Sequence, residues 1–306
     1  MTRKISDSAF FPTSLLIIVF LFLAMTSNAD NRLVYTTDDE NRRKIRILDL
    51  ETGESAFITH GRDASWSPDG HALVFYRMDA SGSNLYIVEA RHEGAVRQLT
   101  DSAAHDRGPT WSPDGSMVAF SSDRSGTDQV WRMNIDSGDW GPNLTQLTTD
   151  TPHKRVNNFV SWSPNGRWIA FESDRDRDDP EIFLANAVDG TNQQRLTFSR
   201  ALDEVPSWTP DGRFILFSSD RHDDPLSRNY DIYIMAIDGR NLRRLTNTPG
   251  AASYPSMSPD GRYIAFSYRA PGASSTNVML MNADGSAVRN LISDADMPRF
   301  APSWDH

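Results

Sequence analysis

The chain contains no cysteine, which excludes disulfide staples, thiolate nucleophiles, cysteine-bound zinc and a lipid-bearing cysteine. It also has no Gly-x-Ser-x-Gly elbow and no glycine-rich phosphate loop, so two common arrangements for acyl transfer and nucleotide binding are missing. Helical periodicity is absent throughout, which excludes a helical solenoid. A basic surplus is lacking too. The 31 Lys and Arg against 41 Asp and Glu give a net charge of -10 and a pI of about 5.1, the opposite of the basic stripe that nucleic-acid binding needs. The one long apolar run, Leu15–Ala24, falls short of the ~20 residues that span a bilayer.

That run sits in a segment unlike the rest. Arg3 and Lys4 precede it, and Ser27 and Ala29 fit the small-residue positions before a cleavage site, so residues 1–29 read as a secretory signal, with an uncleaved anchor as the alternative. Cleavage after Ala29 leaves 29 basic and 40 acidic residues and places the mature chain, 30–306, in the periplasm or outside the cell.

What the chain does have is a repeat. Pro109–Asp123 reads Pro-Thr-Trp-Ser-Pro-Asp-Gly-Ser-Met-Val-Ala-Phe-Ser-Ser-Asp: a short run into Trp111, a tight turn in which Pro113 presets φ and Gly115 tolerates a positive φ, then an apolar strand. The turn recurs after Trp66, Trp111, Trp162, Trp208 and Met257, with a truncated copy at Trp304, at intervals of 45, 51, 46, 49 and 47 residues. Each interval holds four strand-like pieces, a to d. Strand a ends at the Trp, b is exemplified by Val118–Ser122, c by Val130–Ile135, and d is centred on pairs such as Leu99-Thr100 and Leu147-Thr148. A meander of four short strands at this period is a propeller blade. Leu33–Thr36 is a b strand without an a strand, and Ser303-Trp304 an a strand without a b strand. Their pairing predicts an all-β, six-bladed propeller of four-stranded antiparallel blades, closed by its two ends so that no sheet edge stays open.

The Trp-Ser-Pro-Asp-Gly hairpin followed by Ile169-Ala-Phe-Glu-Ser-Asp-Arg175, with a later strand ending in Asp-Gly as in Ile232–Gly239, resembles the TolB-type β-propeller repeat over essentially all of 31–306. The resemblance implies an exported propeller. In TolB itself, a periplasmic protein of the Tol–Pal envelope system, an α/β domain precedes the propeller that binds the lipoprotein Pal. Here the signal runs straight into Leu33, so the expectation is the propeller without that domain.

Repetition separates scaffold from candidate site. One indole per blade at a fixed position is expected to fill the wedge between neighbouring sheets, with Met257 as a substitute packing residue. Ser-Asp-Arg after strand b, at 122–124, 173–175 and 219–221, is expected to cap backbone N–H groups in the b–c turn or to pair Asp with Arg. The acidic stretch Asp174–Glu181 has the carboxylate density for calcium or another divalent cation, but lacks the glycine and the final glutamate of an EF-hand loop and reads as a solvated loop. No cofactor is expected.

In a meander the a–b and c–d turns share one end, which is short and uniform apart from 136–143. The b–c and d–a connections share the other, and their irregularity marks it as the recognition face. Three connections there carry His-x-Arg: His60 and Arg62, His105 and Arg107, His153 and Arg155. With strand a innermost, as in related propellers, these ring part of the channel mouth, and Asp203 and Glu204 stand near the equivalent place in the fourth blade. Forked, permanently charged arginines beside histidines that titrate near pH ~6.5 would attract a carboxylate. The expected function is therefore a monomeric, non-catalytic, TolB-like envelope protein, without a membrane span after cleavage, that binds a protein or peptide at this face. The alternatives are a metal-assisted propeller lyase or hydrolase of acidic oligosaccharides using clustered histidines, and a small-molecule sensor module.

Overall fold

The computed structural model describes residues 31–304 apart from 40–41, 79–81, 92–93, 137–142, 150–155, 177–178, 223–228 and 293–298; residues 1–29, expected to be a signal, lie outside the described residues. The described residues form six four-stranded antiparallel sheets and no α-helix. The innermost strands are Arg62–Trp66, Arg107–Trp111, Asn157–Trp162, Asp203–Trp208, Ala251–Met257 and Arg299–Trp304. Each touches the innermost strand of the next blade around the ring. Numbering the blades from Arg62, the sixth combines Arg299–Trp304 with the N-terminal strands Arg32–Asp39, Arg42–Asp49 and Ser55–His60. Leu33 pairs with Trp304 and Val34 with Ser303, so the ring closes as the repeat arithmetic predicts.

The core is divided into six clusters, each shared by two neighbouring blades. Strand b, packed on both faces, is therefore apolar without alternation in polarity, and it alternates in size instead. Ile169 and Phe171 pack towards blade two, while Ala170 between them faces Trp208 and Ile215 of blade four, and all three are fully buried. This is the period-two geometry of a strand with no solvent face. The motif indoles fill the wedges as expected, Trp66 being 1% exposed and Trp304 4%, and Met257 takes the same place in blade five at 8%. The Trp208 Nε1–H donates to the Ser161 carbonyl at 3.2 Å and that of Trp304 to the Ser256 carbonyl at 3.0 Å, both on the preceding blade's innermost strand.

The repeated turn closes on its own side chains. In blade two the Ser112 hydroxyl donates to Asp114 at 2.6 Å, Asp114 also accepts from the Ser116 N–H, and Gly115 takes φ 72°. Outer strands depart from expectation in one respect. The paired d residues are Val96–Gln98, Gln194–Arg195 and Arg243–Arg244, just before the Leu-Thr pairs rather than on them. The threonine takes over from the ladder: Thr100, Thr148, Thr197 and Thr246 each accept, through Oγ1, the N–H of a strand c residue at 2.9 Å. A side-chain hydroxyl thus replaces a backbone carbonyl where the chain turns inward.

Two predictions follow from this packing. Trp304→Ala removes the side chain that fills the last wedge and should cost about 3–5 kcal/mol, read from urea midpoints, while Val188→Ala on the surface should change little. Asp69 and Asp114 are held below the ordinary carboxylate range, first by the Ser67 and Ser112 hydroxyls and then by the N–H groups of His71 and Ser116. A depressed carboxyl favours the folded state above its unfolded pKa, and that contribution is lost as pH falls through the folded value. Stability should therefore drop below about pH 4. Asp69→Asn with Asp114→Asn should flatten that drop, because Asn165 already makes the same bonds in blade three.

Candidate functional site

The innermost strands carry prolines at Pro109, Pro206, Pro255 and Pro302, residues that cannot donate to a ladder and suit an edge facing a channel. Aligned on the Trp or Met that ends each strand, successive residues form rings around that channel. The ring five residues before the Trp is structural. Arg124 donates to both oxygens of fully buried Asp106 at 2.9 Å, Arg221 to both of Asp203 at 2.7 Å, and Arg175 to Asn157 Oδ1 at 2.6 Å. The same guanidiniums lie over Phe120, Phe171 and Phe217, with 5.2–5.3 Å to the ring centroids. Between them, Asp123, Asp174 and Asp220 accept the N–H groups of His105, Val156 and Leu202 at 2.7–2.8 Å. Ser-Asp-Arg is thus a clamp in which Asp and Arg tie the d–a connection to strand b of its own blade, while the serine hydroxyl accepts the arginine N–H at the start of the b–c turn.

One residue further along, four before the Trp, stand Arg62, Arg107, Asn158, Glu204 and Ser253, paired across the ladder with Tyr76, Ser121, Glu172, Ser218 and Ser267. The next position bulges in every blade. Asp63, Gly108, Phe159, Val205, Tyr254 and Ala301 all adopt φ between 45° and 56°, and the pairing register shifts there in each sheet. A left-handed non-glycine residue costs about 1–3 kcal/mol, most for a β-branched residue such as Val205. Here the bulge turns side chains towards the axis. A cavity of about 480 Å³ opens at the loop-rich end, walled by Tyr76, Phe159, Tyr230 and Tyr254 and bordered by Arg43, Arg107, Arg269, Asp63 and Glu204. The bulge residues separate it from a smaller cavity of about 140 Å³ farther along the channel. Phe159 and Tyr254, from blades three and five, meet edge to face at 5.9 Å in that constriction.

The cavity is electrostatically divided. Burial raises the Asp63 carboxyl, against the opposing pull of Arg43 and Arg62. Burial, reinforced by Glu204 and Asp174, pushes Glu172 well above the usual carboxylate range, although its Oε2 accepts the Val205 N–H at 3.2 Å. The Tyr254 hydroxyl is raised by burial and by the nearby Asp63 and Glu172.

The residues singled out from the sequence fall in different places. Arg62 and Glu204 occupy the mouth ring, and so does Arg107, whose Nη2 lies 3.7 Å from Asp128. His60, the last residue of an outer strand, is exposed and sits edge-on to Phe57 with centroids 5.2 Å apart. His105 Nδ1 lies 3.0 Å from Asp123, within the clamp. Asp203 is fully buried on Arg221 rather than presented at the mouth, because it stands one residue earlier in the register than Glu204. His153 and Arg155 lie outside the described residues, and the mouth position of blade three belongs to Asn158. In the acidic stretch, Glu181 and Asp176 pair with Arg195 at 2.5 and 3.3 Å. Among the described residues no three His, Cys, Asp or Glu side chains stand together to hold a metal. Sequence reasoning missed Tyr76, Glu172, Tyr254 and the bulge ring. Glu172 did leave a signal, a carboxylate inside an apolar b strand where other blades have Ser121, Ser218 and Ser267.

These features define a closed six-bladed propeller with a charged, aromatic-walled mouth. The family model for the TolB beta propeller domain matches residues 21–158 and 143–305, and the chain belongs to that family. Among solved structures it is similar to TolB from Acinetobacter baumannii, at 22% identity and a TM-score of 0.72, covering 91% of this chain and 67% of that one. Putative TolB from Agrobacterium tumefaciens is 20% identical with a TM-score of 0.68, covering 89% of this chain and 98% of its own. An oligogalacturonate lyase in complex with manganese is 16% identical with a TM-score of 0.57, covering 85% and 73%. At these identities the likeness is one of fold.

Glu172 supplies a pH test. A carboxyl raised in the folded state binds its proton more tightly there than in the unfolded chain, so stability falls as pH climbs from the ordinary value near 4.5 towards the raised one. Glu172→Gln should remove that loss, making the variant's urea midpoint higher than the wild type's at pH 8 and nearly equal to it at pH 4.

Proposed function

We propose that this protein is an exported, non-catalytic binding propeller of the cell envelope, working in the periplasm, that takes a segment of a protein or peptide partner into its loop-rich mouth. The observation that carries this reading is the cavity of about 480 Å³ at the irregular end, with aromatic walls and Arg107 and Arg269 at its border. Concave, largely apolar sites with a few placed charges are the usual form of a ligand pocket, and variable loops on a rigid scaffold are where recognition sits. The family membership and the fold shared with the two TolB structures support the same reading. The lyase similarity raises a second one, in which the same arginines hold an acidic oligosaccharide.

Arg107→Ala with Arg269→Ala should weaken capture of the envelope partner at least tenfold, about 1.4 kcal/mol, with thermal stability unchanged, when purified protein is titrated against the species it retains from envelope extract. Unchanged affinity removes the mouth from the binding reading. Turnover of oligogalacturonate, seen as unsaturated product absorbing in the ultraviolet, would establish the enzymatic reading instead.

A further inference from the structure

The mouth is not evenly matched in charge, and the mismatch indicates what could enter it, given that it is a binding site. On blade one Asp63 has Arg43 and Arg62 as its basic neighbours. Across the ring, on blades three and four, Glu172 is 7% exposed, and among the described residues the charges acting on it are those of the acids Glu204 and Asp174. Its one hydrogen bond is to the Val205 N–H, and no Arg, Lys or His among the described residues forms an ion pair with it. A buried carboxyl without a counter-ion either keeps its proton or awaits a cation. Glu204 borders the cavity and Glu172 stands behind it against Val205 and Asn158, while Phe159 and Tyr254 meet edge to face in the channel and Tyr76 and Tyr230 continue the wall. A spherical metal ion wants several oxygens converging on one point, whereas an ammonium is satisfied by one or two carboxylates and the negative faces of aromatic rings.

We propose that the mouth binds a primary ammonium group of an inserted segment, held by Glu172 and Glu204 above the Phe159 and Tyr254 rings. Arg43 and Arg62, on blades six and one, lie across the ring from these acids and can take the segment's own carboxylate or carbonyl groups, while Arg107 and Arg269 on blades two and five flank the acidic wall. This orients the segment, because reversing it would set like charges together. The ammonium supplies the counter-charge that Glu172 lacks among the described residues.

Three blocked or free tripeptides serve as probes, followed by NMR titration with the full chain: Ac-Ala-Lys-Ala-NH2, free-amine Ala-norleucine-Ala-NH2, and Ac-Ala-norleucine-Ala-NH2, which has no ammonium. One or both ammonium peptides should bind at least tenfold tighter than the blocked norleucine peptide, and which one does so tells a lysine side chain from a chain N-terminus. Glu172→Gln with Glu204→Gln should abolish the preference while the melting temperature holds or rises. Should the pair fail to fold, Glu204→Gln alone is expected to cut the preference at least threefold. Equal binding of all three peptides, or a preference that survives in the folded variants, overturns the proposal. So does calcium chloride binding alone, competing with the peptides and losing affinity in the double variant, since the site is then one for an inorganic cation. None of these probes is the envelope partner. A wild-type protein without the ammonium preference whose partner capture still depends on Arg107 and Arg269 sinks only this inference, and the converse sinks only the binding reading.

Discussion

Everything in the molecule depends on one antiparallel pairing, that of Leu33 and Val34 with Trp304 and Ser303. No blade owns a core. Each of the six clusters is made from the facing sides of two blades, so an open ring would expose two apolar faces and two strand edges at once. Contacts far apart in sequence therefore hold together elements that are each a local meander. The pairing is the last to become available to a chain made from its N-terminus, since both strands must exist before it can form.

Closure also sets the channel. Six twisted sheets brought around an axis crowd their inner edges together, and the bulge in every innermost strand answers that crowding by turning one residue per blade inward. Gly108 takes the left-handed conformation without strain, and the strained Phe159 and Val205 of blades three and four each have a clamp behind them. Charge-assisted Arg–Asp pairs in blades two and four, in which one Nη2 reaches both carboxylate oxygens, with Arg–Asn between them, fix the strand from the side away from the axis. Scaffold and site are then adjacent rows of the same strand. Asp203 belongs to the clamp and Glu204, its neighbour, to the mouth.

The mouth combines features that would be costly in a protein selected for stability alone: a buried carboxyl without a basic partner among the described residues, tyrosine hydroxyls raised by burial and by nearby acids, and a β-branched residue at positive φ. Such departures concentrate where a surface does something besides fold. They occupy the loop-rich end, where the connections differ from blade to blade, and the uniform Pro-Asp-Gly turns occupy the other.

Much of this was legible in the residues. The turn motif, its spacing near 47 residues and the complementary half-blades at the two ends specify four-stranded blades, their number and their closure, because turn chemistry and strand period are local properties that survive in any context. Arg62, Arg107 and Glu204 were placed at the mouth by the same repeat arithmetic. Burial and register were not legible, because a shift of one residue on a strand reverses the face a side chain takes. Asp203 and Glu204 look alike in sequence and lie in different environments, and Arg155 mimics Arg107 three residues out of register with the mouth position. Glu172 becomes unusual only when Glu204 of the next blade comes beside it, a contact between residues in separate repeats. The sequence alone determined the blade and how many there are, since those rest on short-range turn and strand preferences; only the closed ring decided which side chains meet at the axis, since that follows from packing six sheets edge to edge around it.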